Sequence, residues 1–403
     1  MSVRAQCLSS LALLILSLTT ARAAAAGPLS ADDVVRMALS RHPLVAEASA
    51  EVTAAEGGVR AATFLRENPS LSVRVGADKT TREAELAQPL SLTGEGIFAR
   101  QAATARLAAA EAGLGRARLV AAAEARHLWI AAVVAVEERE LTRGALDLAI
   151  RRCAAVEARA VAGDVPDLDA RLARLGRARA AQDYLVARRE EAAVLTELGA
   201  WIGRTVSAAE LEADPRDGAP SATGDAPERS DVLAAQHRLD ASLAELKVER
   251  AAVLPRVELG AFSEQGEGER ALGPSLSMTL PVWQQNAEGR ARLRGEVAIA
   301  QADLDRTRAR AAAEGIATAA VATDAVELLS TLGPDLAADA DAALASVEAG
   351  FSAGEIDLTT LLFLQDEILS SRHAFVAACA ASADAAVAHL LAVEDATLLG
   401  VQP

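Results

Sequence analysis

The sequence predicts a mainly helical protein with a small β part, built from one plan used twice. Three observations carry that expectation. Aromatic residues are only 2% of the 403 residues while hydrophobic residues are 51%, mostly Ala and Leu, which favour helix and pack closely in rods. From Glu95 to Ala160 there is no proline, so one helix of about 66 residues, on the order of 100 Å, is expected. Finally, Val156–Leu168, VEARAVAGDVPDL, is echoed 191 residues later by Val347–Leu358, VEAGFSAGEIDL. In each copy a helical run ends, a glycine follows, an acid sits beside it, and a helical run restarts. Each copy reads as a helix–turn–helix tip, and the pair marks an internal duplication.

Residues 1–26 read as a secretory signal. Arg4 gives the positive start, Leu8 to Leu18 is an apolar run too short to span a bilayer as a helix, and Ala21-Arg22-Ala23 and Ala24-Ala25-Ala26 are small-x-small cleavage sites. Cys7 precedes the apolar run, so it is not a lipoprotein acceptor. No second membrane-spanning helix is expected; entry into a membrane would have to be by strands.

The first half, residues 27–204, opens with the capping box Ser30-x-x-Asp33 and a short helix to about Ser40. Pro43 breaks it, and a helix from about Leu44 to Glu67 follows, stopped by Asn68-Pro69. In Ser70–Gly76, Leu71, Val73 and Val75 alternate with Ser72 and Arg74, the period of a strand with one apolar face. Arg82–Leu90 is a weaker partner strand. The long helix then runs to the first tip, and about Pro166 to Arg204 is helix again. Residues 205–229, rich in Pro, Gly, Asp and Ser, form the connector. In the second half, residues 230–403, the order returns: helix Ser230–Val253, strands Arg256–Glu264 and Ser275–Leu280, a helix from about Gln285 to Ala349, the second tip, and helix from about Ile356 to Glu394. Two shorter helices stacked end to end would match each long one, giving a rod with strands at one end and tips at the other.

Four strands cannot close a barrel, so at least two chains are needed, and three would give twelve strands. Alternation in an exported chain fits an outer-membrane barrel; a small soluble sheet lying on the helices fits it equally.

The opening ADDVVRMALSRHPLVAEASAEVTAAEGGVRAA, the junction AQPLSLTGEG at Ala87–Gly96, its counterpart SMTLPVWQQNAEGRARL at Ser277–Leu293, the AGD and AGE tips and the duplication together resemble the outer membrane efflux proteins of the TolC family. The LPVWQQNAEG and QPLSLTGEG forms are most similar to its heavy-metal and cation efflux branch. The resemblance implies a homotrimer with a twelve-strand β-barrel in outer-membrane lipid and a long periplasmic α-helical barrel. It further implies a tripartite assembly with a periplasmic adaptor and an inner-membrane pump, passing drugs or metal cations outward. Two departures stand out. Few aromatics are available for a girdle: Phe64, Trp283, Phe262 and Phe98. The turns past the second tip, where relatives carry a ring of acids, read Thr359-Thr360-Leu361-Leu362-Phe363. The acids lie instead at Glu355, Asp357 and Asp366.

The candidate site is therefore the periplasmic mouth: Asp164, Asp167, Glu355 and Asp357, with the tip glycines Gly163 and Gly354. Recurring in each copy of an oligomer, these acids would form a cation-preferring entrance or a docking surface. Helix capping alone also accounts for Asp164 and Glu355. His42, His127, His237, His373 and His389 have no metal-ligand spacing and read as surface or groove histidines. Cys153 and Cys379 sit at heights that differ by roughly 20 Å and are expected as buried, unpaired thiols. No catalytic motif, cofactor site or metal site is found, and a net charge of −16 argues against nucleic acid. The rival reading is a periplasmic coiled-coil adaptor or scaffold without a transmembrane barrel. It would lack the second copy of strand, strand and long helix. An exported enzyme is disfavoured by the missing site.

Overall fold

The computed structural model describes residues 28–62, 68–76, 82–90, 94–221, 228–251, 253, 256–266, 269–279 and 286–400. The expected signal segment lies outside them, as do Phe64 and Trp283. In chain order the elements are α1 (Ala31–Leu39), α2 (Pro43–Ala61), β1 (Ser70–Val75), β2 (Arg82–Leu90), α3 (Glu95–Ala162) and α4 (Asp167–Ile202). The second half holds α5 (Ser230–Ala251), β3 (Arg256–Gly266), β4 (Glu269–Thr279), α6 (Ala287–Leu332), α7 (Leu336–Ala353) and α8 (Leu358–Val393).

α3 is one helix of 68 residues, about 100 Å long. α2 and α4 lie against it end to end, and α5 and α8 lie against α6 and α7 in the same way; α3 also packs on α5 and α8. The layer thus reads α2–α3–α5–α6 at the strand end and α4–α3–α8–α7 at the tips.

The strands form a single antiparallel sheet in the order β1-β2-β3-β4, so the two hairpins join edge to edge through β2 and β3. The register turns the alternation of each strand into a property of the whole sheet. Leu71 stands opposite Leu86, which stands opposite Ala261; Val73, Ala84, Ser263 and Leu272 form the next row, and Leu90, Val257 and Met278 another. Leu71, Val73, Val75, Leu86, Leu259, Leu272, Leu276 and Met278 therefore share one face, and all are exposed, Leu272 at 83% and Leu276 at 74%. The other face carries Ser70, Ser72, Glu83, Glu85, Glu258, Glu264, Ser275, Ser277 and Arg74, the last paired with Glu83 at 3.2 Å. The nine and eleven residues of β2, β3 and β4 match the length needed to cross a bilayer at a tilt.

The largest core sits midway along the rod. α1, the connector and the C-terminal turn Ala396–Leu399 wrap the middle of α3 around Trp129, Ile130, Val34, Val35, Leu198, Leu211 and Leu398. The Trp129 indole donates to the Leu29 carbonyl at 2.8 Å. The connector is well packed here. Its 3₁₀ turn Pro215–Gly218 presents Gly218 to Ile130 and Trp129, where a Cβ would collide at 2.4 Å.

Three expectations need correction. The second long helix is interrupted: Gly333, at φ +84°, separates α6 from α7, because Pro334 cannot donate into the ladder and crowds the preceding turn. The helix expected to reach Glu67 ends at Ala61. β4 begins at Glu269 rather than Ser275 and includes Pro274, which an edge strand tolerates. Separately, among the described residues three helices, Glu95–Ala162, the stretch Ala287–Ala353 and Leu358–Val393, contain windows long and apolar enough to cross a membrane by length and composition alone. Alanine explains this: it raises mean hydropathy to 1.3–1.7 while leaving the small cross-section that close helix packing needs.

Candidate functional site

Both tips lie at the same end of the rod and share a small core. Cys153, Val156, Ala170, Ala173, Leu358 and Leu361 are buried together, with Val165, Val347, Phe351 and Ile356 packed on them. The duplicated sequence folds alike in both copies. Gly163 takes φ +81°, its N–H bonds to the Ala160 carbonyl, and Asp164 N–H reaches back to Arg159. Gly354 takes φ +80°, bonding to Phe351, while Glu355 N–H reaches Gly350. Each is a left-handed helix end that closes the last carbonyls, a conformation glycine adopts without cost.

The four acids differ in what they do. Asp357 is the N-cap of α8: its carboxylate accepts from the Thr360 backbone N–H at 3.3 Å and from the Thr360 hydroxyl. Those bonds, the side-chain one foremost, hold its pKa below the ordinary aspartate value. Asp164, Asp167 and Glu355 are exposed and make no side-chain hydrogen bond or ion pair among the described residues. A side-chain cap is therefore made by Asp357 and not by Asp164 or Glu355, the two acids for which capping is the alternative reading from sequence. Glu355, Asp357 and Gly354 line a cavity of about 570 Å³ with Arg159 and Asp169, two residues sequence reasoning missed; Asp164 and Asp167 stand outside its wall.

A larger groove, about 1030 Å³, lies above the tips between α4 and α8, floored by α3. Three interhelical polar contacts bound it. His373 of α8 bonds Glu138 of α3, and this bond, followed by the nearby Glu138 and Asp183 charges, lifts the His373 pKa against the effect of its burial. Arg179 of α4 faces Asp366 of α8 at 3.6 Å. Arg152 of α3 donates through Nη1 to the Gln365 side-chain oxygen of α8. Among the described residues four side-chain polar atoms are buried without a hydrogen-bond partner, and two of them meet here: Arg152 Nε and Gln365 Nε2. A buried donor left unpaired costs about 1–3 kcal/mol. No local pattern in the sequence marks either residue.

The histidines are more structural than expected. His42 is buried, caps α2 through Leu44 N–H at 3.2 Å, packs on Trp201 and meets Glu124 at 3.3 Å. His127 bonds Asp384 at 2.6 Å, and His389 meets Thr318 at 3.2 Å. Cys153 and Cys379 are buried free thiols. Among the described residues no group of three His, Cys, Asp or Glu side chains is placed to hold a metal ion. Phe262 lies on the polar face of the sheet, packed over Gly273, and Phe98 rests beneath the Lys247 ammonium at 5.9 Å.

Comparison with known proteins agrees with this architecture. Residues 226–392 match the family described as outer membrane efflux protein. Over 273 residues the chain is 27% identical to the cobalt-zinc-cadmium resistance protein CzcC of Cupriavidus metallidurans; the match spans 65% of this chain and 65% of that relative's length. Among solved structures, a membrane protein from Pseudomonas aeruginosa is similar at TM-score 0.73 and 21% identity over 90% of both chains. The outer membrane protein VceC of Vibrio cholerae gives TM-score 0.70 at 19% identity, covering 91% of this chain and 96% of its own. The CmeC outer membrane channel of Campylobacter jejuni gives 0.74 at 16% identity, over 90% and 85%. At these identities the structures speak for the fold alone: long packed helices with a small four-stranded antiparallel sheet.

Proposed function

We propose that this chain, an outer membrane efflux protein by the match of residues 226–392 and by its fold, is the outward conduit of a tripartite efflux system. The observation that carries the reading is the two-faced sheet. An exposed apolar face backed by a face of Glu, Ser and Arg is suited to lipid on one side and water on the other. Four strands leave β1 and β4 with open edges, and a membrane forbids open edges. Three copies, closing β4 of one on β1 of the next, supply twelve strands.

The helices ask for the same partners. α4 exposes Leu168, Leu175, Leu185 and Val186 on one flank of the layer, and α6 exposes Ile299, Ile316, Val321 and Val326 on the other. Unlike flanks meeting head to tail generate a ring when the rotation closes. The chain then acts as a passive tube, energised by an inner-membrane pump through a periplasmic adaptor at the tips. Opening requires the tip helices to splay. Cations, as divalent metal ions, are the favoured cargo. The water-side face of the sheet carries Glu83, Glu85, Glu258 and Glu264 against Arg74, and the relative is a metal resistance protein. Asp164, Asp167 and Glu355 would ring the entrance.

The deciding experiment separates inner and outer membranes by density and runs the outer fraction unheated and heated on a detergent gel. A band near three times the monomer mass that collapses on heating supports the conduit. A soluble periplasmic monomer overturns it. A cysteine pair tying adjacent tips should then abolish export.

A further inference from the structure

We propose that α4 of one copy packs antiparallel against α7 of the next in one fixed register, with Leu185 over Ala342 and Arg189 between Asp335 and Asp339. The inference rests on the conduit reading and deepens it, by assigning the residues that join the copies along the tip half of the rod. There α4 and α7 are the two edges of the layer, α4 packed chiefly on α3 and α7 on α8. Their outward flanks are unlike. α4 presents Leu175, Leu185 and Val186, all about half exposed or more. α7 presents Ala338, Ala342, Ala345 and Ala349, all exposed. Large side chains facing methyl groups let two helix axes approach to about 8 Å. The charges are unlike too. From residue 311 to residue 353 there is no Lys or Arg. Asp335 and Asp339, at the start of α7, are exposed and make no side-chain hydrogen bond or ion pair among the described residues. The same holds for Arg188 and Arg189 of α4.

Heights decide which groups meet. Copies related by rotation about the long axis of the rod keep every residue at its own height. Within one copy Gly176 of α4 lies level with Leu362 of α8, since a Cβ there would be 3.6 Å from that side chain. Arg372 of α8 is paired in turn with Asp341 of α7. Carried along the helices at equal rise, these two contacts bring Leu185 level with Ala342 and Gln182 with Ala345. Arg189 comes level with Ala338, within a turn of both Asp335 and Asp339. Leucine thus meets methyl, and guanidinium meets carboxylate, in the same register. The strand end asks for the same sense of joining. α2 precedes β1 and α6 follows β4, so closing β4 of one copy on β1 of the next also sets the α6–α7 edge against the α2–α4 edge. A charge pair desolvated at one height of an otherwise apolar seam fixes which residues face each other.

The test uses the full chain with Cys153→Ala and Cys379→Ala, carrying Leu185→Cys together with Ala342→Cys. Outer membranes are treated with copper phenanthroline, and linked dimers and trimers that survive heating without reductant are expected. Leu185→Cys with Ala349→Cys, about 10 Å off register, should not link, because a disulfide needs Cα atoms within about 7 Å. In the chain with its native cysteines, Arg189→Asp should lower the trimer-to-monomer ratio in detergent about fivefold or more, and adding Asp335→Arg and Asp339→Arg should restore it. Equal linking of the two cysteine pairs, or linking of the Ala349 pair alone, overturns the register. A trimer band that persists with neither pair linked places the seam elsewhere and overturns the proposal while the conduit stands. Failure of the reversed charges to restore a weakened assembly removes Arg189 from the seam and overturns the proposal likewise. A soluble monomer overturns the conduit and the seam together, so the two failures are told apart by the unheated gel.

Discussion

Arg126 Nε donates to the backbone carbonyl of Leu398 at 3.0 Å, across 272 positions of sequence. The same guanidinium, 1% exposed, donates to the Gly218 carbonyl at 3.0 Å and to Asp32 at 2.5 Å. One side chain in the middle of α3 thus ties down α1, the connector and the end of the chain. Asp32 is half exposed, so most of the stabilisation comes from the bonds to the two backbone carbonyls. Arg126→Met should cost about 2–4 kcal/mol. A lower unfolding temperature and new protease cleavage near residues 208–221 or 396–400 would register the loss; an unchanged melt would mean the clasp contributes nothing.

The His373–Glu138 contact gives the α3–α8 seam a pH dependence of defined sign. Its folded pKa is raised, first by the bond to Glu138. A raised folded pKa means the stabilisation is fully present below the unfolded value of about 6.5 and fades as pH rises through the higher folded value. Hydrogen exchange in α8 should therefore be slow at pH 6 and faster at pH 8.5, beyond the intrinsic change in exchange rate. His373→Gln should flatten that difference. A seam that tightens with rising pH contradicts the assignment.

Gly163 and Gly354 allow a clean test of the tips. Each has positive φ, and neither would bring a Cβ within 4 Å of another group. Substitution by alanine therefore probes backbone strain alone, about 1–2 kcal/mol per site. Both single variants should assemble normally while exchange at their own tip accelerates five- to thirtyfold. If only one tip responds, the two copies do not share the same energetics despite their matched geometry.

Where the sequence was readable, the cause was local. The tip glycines, the Ser30 cap and the period-two strands depend on residues a few positions apart, so pattern alone places them. The break at Gly333-Pro334 is equally local, a proline's veto on the ladder set inside an otherwise helix-rich run that masks it. The rest has no local signature. Arg126 meets Leu398, and Arg152 meets Gln365, only because distant helices are brought side by side. The acids at the tips were visible as residues, but which of them caps a helix was not. That depends on whether the carboxylate meets Thr360 N–H, as Asp357 does, or points into water, as Glu355 does.

The two-faced sheet makes the sharpest prediction, because neighbouring residues of β4 should respond oppositely. Leu276 stands opposite Leu259, on the exposed apolar face; Ser277 stands opposite Glu258 on the other, its hydroxyl 3.2 Å from that carboxylate. An arginine facing lipid near the bilayer midplane costs about 2–4 kcal/mol, and a trimer carries it three times. Leu276→Arg should therefore deplete the heat-sensitive assembly from the outer membrane. Ser277→Arg should leave assembly intact, gain a partner in Glu258 and, by adding positive charge to the water side, slow the passage of divalent cations. Metal sensitivity of cells relying on each variant, read beside the unheated gel, separates failed assembly from altered passage. Equal assembly of the two variants would show that the apolar face does not meet lipid.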